Sequence, residues 1–154
     1  ANSIKKFLKG KKTKIIFEPG RFIIGNSGIL ISRIVYIKEG YKKDFVILDA
    51  AMNDFMRPAL YNARHQIIPS IKNSSKSKKI YEFVGPICES TDKFSTIKNF
   101  QKLKEKNIIV ISDVGAYGMS LSSNYNVRPK PSEILIKNSK ILIISKRQNI
   151  KELI

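Results

Sequence analysis

Short runs rich in Ile, Val, Phe and Tyr recur along this chain, each soon cut off by Gly, Pro, Asn, Asp or Ser. Segments 29–38, 45–50, 65–68, Ile80–Val84 and Ile108–Ile111 read as strands. Gly40 within 39–43 marks a hairpin loop, and 45–50 is the returning strand. Segments 134–136 and 141–145 flank Asn138-Ser139, a second hairpin signal. Strands at this spacing, joined by tight turns, pack as an antiparallel sandwich or barrel. Helical signals are few. Residues 22–27 open a short helix, 57–62 form a turn or one helical turn at Pro58, and 94–105 are a weak helix or an irregular excursion. Residues 115–123 are small and read as a loop with a short helix, and Asn149 caps a last helix through 154. Residues 14–17 read as a buried strand ending at Pro19-Gly20, and 72–79 as a mobile polar linker.

With 154 residues, 42% of them hydrophobic, the chain can bury one core. Its net charge of +17 raises the question of nucleic acid or an anionic membrane. Yet the charge comes from 23 Lys against 6 Arg, scattered or in apparent loops. Lys, Ile and Asn together follow AT-rich coding, and no helix-turn-helix, zinc-finger or ribonucleoprotein pattern accompanies them. No nucleic-acid or membrane partner is expected; a non-catalytic basic module stays as an alternative. The early segment with Lys5, Lys6, Lys9, Lys11 and Lys12 does not read as a signal peptide. A lone cysteine, Cys88, forms no internal disulfide and suits a reducing, cytoplasmic setting.

Several residues are candidates for chemistry. Glu18-Pro19-Gly20-Arg21 joins a strand reading to a helix start. Such a turn can hold a phosphate, with Arg21 adding a bidentate contact, or can be a plain strand-end turn. Cys88 follows Gly85-Pro86 at a strand end, beside Glu89. Its thiol can donate a proton, or it is a half-buried structural cysteine. Glu89 can bind an ammonium group or be solvated. Arg57 and Tyr61, four apart, share a face if 57–61 is helical and can then grip a carboxylate. Tyr117 lies among Gly and Ser, where its ring has room to lie on a flat cofactor or simply to pack. His65 reads as structural, since no metal set accompanies it.

The ordered series of Glu18-Pro19-Gly20-Arg21, residues 49–54 (Asp-Ala-Ala-Met-Asn-Asp), Arg57-Pro58-Ala59-Leu60-Tyr61, Gly85-Pro86-Ile87-Cys88-Glu89-Ser90, Gly115-Ala116-Tyr117-Gly118 and residues 122–126 with Arg128-Pro129 resembles the diaminopimelate decarboxylases. These are pyridoxal-phosphate enzymes of the alanine-racemase-like barrel type. The resemblance spans nearly the whole chain. It implies a mainly β fold: residues 1–25 as the last strand and helix start of an N-terminal α/β (TIM-like) barrel, and 26–154 as a C-terminal β domain. The lysine that holds the cofactor, the cofactor-facing histidine and the glycine-rich phosphate loop belong to the barrel and have no counterpart in this sequence. The chain is therefore expected to be a fragment, inactive alone.

The resemblance also implies roles. Glu18, Pro19, Gly20 and Arg21 contact pyridoxal phosphate, with Arg21 also meeting substrate. Arg57 and Tyr61 bind the substrate's distal end, Cys88 is the catalytic proton donor, Glu89 takes the distal ammonium, and Tyr117 touches cofactor and substrate. The cysteine loop enters the neighbouring subunit's site, so a homodimer is implied, and the product is lysine. Related ornithine and arginine decarboxylases share the first turn and the cysteine. Glu89-Ser90 and residues 122–126 favour diaminopimelate over these.

Overall fold

The computed structural model describes residues 2–154. Its strands are β1 (Leu30–Lys38), β2 (Lys43–Leu48), β3 (Ile67–Pro69), β4 (Ile80–Val84), β5 (Lys93–Ile97), β6 (Ile108–Ile111), β7 (Glu133–Lys137) and β8 (Lys140–Ser145). The α-helices are α1 (Asn2–Leu8), α2 (Arg21–Ile24) and α3 (Arg57–Tyr61). Six strands form one curled half-barrel sheet in the order β3-β6-β1-β2-β4-β5, and β7 and β8 make a separate hairpin.

Strict alternation places the core. Asp44, Val46 and Leu48 of β2 are buried, as are Tyr81 and Phe83 of β4 and Ile109 and Ile111 of β6. Ile34, Val46, Leu48, Phe83, Ile109 and Ile111 are fully covered, and Phe55 packs with them from the segment after β2. Phe83 meets the Phe100 ring edge-on at 5.4 Å. Truncating such a ring to alanine costs about 3–5 kcal/mol.

The mainly β reading holds, and β1, β2, β4 and β6 lie where the sequence placed strands. Four of the five pairings in the large sheet are antiparallel; β2 and β4 run parallel, so the sheet is mixed. The crossover from β2 to β4 carries α3 and β3, which allows the parallel pairing.

Other expectations need correction. Residues 14–17 are not a strand: no neighbouring strand pairs with them, and Ile16 and Phe17 are exposed. An apolar run becomes a strand only with a ladder partner. Residues 94–105 are not helical. Lys93–Ile97 instead forms β5 against β4, with Phe94 turned into the core. Residues 72–79 are tied rather than loose: Ser77 N–H donates to Phe100 C=O at 2.8 Å, and Lys102 N–H to Ser75 C=O at 2.7 Å. Asn149 does cap a helix, its side chain accepting from Lys151 N–H, but the helix is one turn, Ile150–Glu152.

Apolar surface remains open on the β7–β8 hairpin, where Ile134, Ile136, Ile141, Ile143 and Ile144 are all more than half exposed, and at Phe22. Among the described residues, no helix is long and apolar enough to cross a membrane.

Candidate active site

The turn Glu18–Arg21 leads directly into α2, and a second loop docks onto it. Gly115 N–H donates to Gly25 C=O at 2.9 Å, and Val114 N–H to Gly28 C=O at 3.0 Å. The approach is so close that a Cβ on Gly28 would lie 2.6 Å from Gly115 Cα. The docked loop carries Tyr117, held at φ 56°, a left-handed conformation that a bulky aromatic residue rarely adopts. That conformation brings its hydroxyl within 3.5 Å of where a Cβ on Gly20 would stand. Tyr117 thus covers the Pro-Gly turn.

Helix α3 supplies the next wall. Arg57 and Tyr61, four apart in this helix, lie one turn apart on one face, and Asn62, at φ 50°, ends it in a left-handed cap. The Arg57 guanidinium stands 5.7 Å from the Tyr61 ring and 5.8 Å from the Tyr117 ring. Both distances suit cation–π contact. Arg21 and Arg57 line one open cleft of about 520 Å³ together with Gly25, His65 and Asp113. Neither guanidinium has a carboxylate within ion-pair distance among the described residues. The Nε of Arg57 is buried and has no hydrogen-bond partner. With Arg64, three cations that pair with no carboxylate among the described residues line this cleft, which favours an anionic ligand.

His65 also lines this cleft. Its Nδ1 lies 3.0 Å from Ser112 C=O, which can only accept, so Nδ1 carries the proton and Nε2 is bare. Phe55 meets the imidazole edge-on at 4.7 Å. Burial, aided by the charges of Arg57 and Arg21, lowers the pKa of His65 and keeps it neutral.

Cys88 and Glu89 sit on another loop. Both are exposed, and neither lines the cleft of Arg21 and Arg57. The Tyr125 hydroxyl donates to Glu89 Oε2 at 3.4 Å. The structure therefore gathers Gly20, Arg21, Arg57, Tyr61 and Tyr117; Cys88 and Glu89 do not line their cleft, although Ser90 and Thr91 of the same loop share an adjoining pocket with Ala63, Arg64 and His65. Glu18 and Pro19 are exposed beside this group.

Residue-type reasoning passed over the framework behind these loops. Arg128 Nε donates to Asn53 Oδ1 at 3.0 Å and its Nη2 to Asp49 C=O at 2.6 Å, with Asp54 at 3.7 Å. Asn53, fully buried, also donates to Ser123 C=O. Burial raises the pKa of Asp54 against the pull of the Ala51 N–H and Arg128. Arg128-Pro129 was visible in the sequence, but nothing local showed that its guanidinium reaches back to residues 49–54.

Comparison with known proteins fixes the lineage. Residues 21–115 match the profile of the pyridoxal-dependent decarboxylase C-terminal sheet domain, which is well over half the chain. The chain belongs to the pyridoxal-dependent decarboxylase family. It is similar to the diaminopimelate decarboxylase of Aquifex aeolicus, 41% identical over 149 residues, covering 97% of this chain and 35% of that protein. Against the Helicobacter pylori diaminopimelate decarboxylase it is 43% identical over 155 residues, covering 99% and 38%. The crystal structure of the H. pylori enzyme complexed with L-lysine superposes with a TM-score of 0.82 at 42% identity, over 99% of this chain and 37% of that one. This decarboxylase-family chain thus spans little more than a third of the curated relatives it matches.

Proposed function

We propose that this chain is the C-terminal part of a diaminopimelate decarboxylase, which converts meso-2,6-diaminopimelate to L-lysine and carbon dioxide. One observation carries the reading beyond family membership: two unpaired guanidiniums, Arg21 and Arg57, face one cleft with Tyr61 and Tyr117 packed around Arg57. Diaminopimelate has a carboxylate and an ammonium at its far end, where ornithine and arginine lack the carboxylate. A guanidinium with an adjacent phenol suits that carboxylate, and Glu89 suits the ammonium.

The residues present also fit pyridoxal phosphate. The Glu18–Arg21 turn and Tyr117 would hold it, with Arg21 supplying positive charge to an anionic group. When bound, this cofactor supplies an electron sink that lets carbon dioxide leave the amino acid. Arg57 and Tyr61 orient the substrate by its distal carboxylate. The Cys88 thiol holds the proton to be delivered to the substrate's α-carbon, on one face.

Cys88 and Glu89 are exposed and do not line the cleft, which supports their serving the site of a second subunit in a homodimer. Residues 1–25 would then complete the N-terminal barrel and 26–154 form the β domain.

The test uses the full-length protein loaded with pyridoxal phosphate. Meso-diaminopimelate should yield lysine and carbon dioxide in equal amounts, and Cys88→Ala should nearly abolish turnover. Absence of lysine from the loaded enzyme removes the proposal.

A further inference from the structure

The loop that presents Cys88 is organised around one carboxylate, that of Asp92. It is 3% exposed. Its Oδ1 accepts from Met52 N–H at 2.7 Å, and its Oδ2 accepts from Ile87 N–H at 2.8 Å. Backbone bonds close the same loop: Gly85 N–H donates to Asp92 C=O, and Asp92 N–H to Glu89 C=O, both at 3.0 Å. Gly85 leaves the space that the carboxylate fills, since a Cβ there would stand within 2.5 Å of three Asp92 side-chain atoms. Among the described residues no cation pairs with Asp92 within 4.0 Å, and the donors to its oxygens are backbone N–H groups. One oxygen holds the residue just before Cys88. The other reaches the turn at residues 51–54, which leads into Arg57.

We infer that Asp92 is a positioning residue whose buried carboxylate fixes the Cys88 loop and fastens it to the turn that feeds the Arg57 helix. The inference rests on the reading of Cys88 as proton donor for its catalytic meaning, but not for its geometry. A thiol that must deliver a proton to one carbon needs a fixed loop, because small displacements of a reacting group cost large factors in rate. An exposed cysteine on an unbraced loop would lack that precision. Burial raises the pKa of Asp92, with the Ile87 and Met52 N–H groups opposing. Asp54 of the neighbouring turn adds to this rise, and Arg128, whose side chain reaches that turn at Asn53, opposes it.

Asp92→Asn tests this. The amide keeps the shape but can accept through one oxygen only, so one of the two N–H donors faces an NH2 group and is orphaned. In the full-length, cofactor-loaded protein, iodoacetamide labelling of Cys88 is followed by peptide mass spectrometry beside steady-state kinetics. Labelling should accelerate about tenfold, matching the loss of one buried charge-assisted bond, and kcat should fall more than KM rises. Asp44→Asn is the control: this carboxylate is also buried, but it serves Gly40 N–H and Lys79 at the far end of β2 and β4. It should lower stability and leave Cys88 labelling unchanged. Wild-type labelling and kcat in Asp92→Asn overturn the inference, and so does equal acceleration in Asp44→Asn. If Asp92→Asn fails to fold, Gly85→Ala displaces the same carboxylate with its charge intact, and unaltered labelling there overturns it equally. Undiminished turnover in Cys88→Ala would sink the proton-donor reading alone, leaving the labelling contrast to decide the role of Asp92.

Discussion

Gly28→Ala isolates the contact that assembles the site. Gly28 sits at φ −118°, ψ 144°, extended backbone that alanine adopts freely. On conformational grounds alone the substitution should stabilise the protein by about 0.4–1 kcal/mol, by restricting the unfolded chain. The contact says the opposite. The added methyl would lie 2.6 Å from both Gly115 Cα and Gly115 N, where ordinary contact begins at 3.4 Å, so the segments must part by 0.8 Å. Both touching atoms are backbone and cannot rotate away. Parting them stretches the Gly115–Gly25 and Val114–Gly28 hydrogen bonds. Weakening two such bonds and straining the joint should cost about 2–3 kcal/mol. Tyr117 rides on the displaced loop, so affinity for pyridoxal phosphate should fall as well. The assay is urea unfolding of the full-length protein, with cofactor affinity followed by absorbance titration. A neutral or stabilising Gly28→Ala with unchanged cofactor affinity would refute the reasoning.

Three further outcomes are expected. His65 has a folded pKa lowered from the ordinary 6.5, so its contribution to stability is present above that value and is lost as pH falls through the lowered one. The stability gap between wild type and His65→Gln in the full-length protein should therefore shrink below about pH 6.5; a pH-independent gap rules this out. Mixing inactive Arg57→Ala and Cys88→Ala full-length variants, under conditions where subunits exchange, should restore about a quarter of wild-type activity: random pairing makes half the dimers mixed, with one intact site in two. No recovery despite verified exchange would place both side chains in the same subunit's site. Expressed alone, residues 1–154 should self-associate through the exposed β7–β8 isoleucines, and a dilution-insensitive monomer by sedimentation would contradict this.

The strands were legible where apolar alternation coincided with turn residues, as at β2, β4 and β6, because both signals are local. The parallel β2–β4 pairing was not, since direction depends on a crossover of more than thirty residues between Leu48 and Ile80. Residues 14–17 misled because an apolar run specifies a strand only when an edge receives it. β5 was hidden because Lys93, Ser95 and Thr96 dilute its apolar pattern and Phe94 alone marks its buried face. In the site, Arg21, Arg57, Tyr61 and Tyr117 were nameable as candidates, and the structure brings them together. Asp92 and Arg128 were invisible as framework, because bonds to Met52 forty residues away and to Asn53 and Asp49 more than seventy away leave no spacing signature.

The sharpest test of the account is the specificity of the full-length protein, measured as kcat/KM for meso-diaminopimelate against ornithine and arginine. Recognition of a distal carboxylate by Arg57, whose Nε is buried without a partner, predicts discrimination on the order of a thousandfold in favour of the diacid, since substrates lacking that carboxylate leave Arg57 unpaired. Equal or better turnover of ornithine or arginine would contradict the assignment of Arg57 and Tyr61 to that carboxylate.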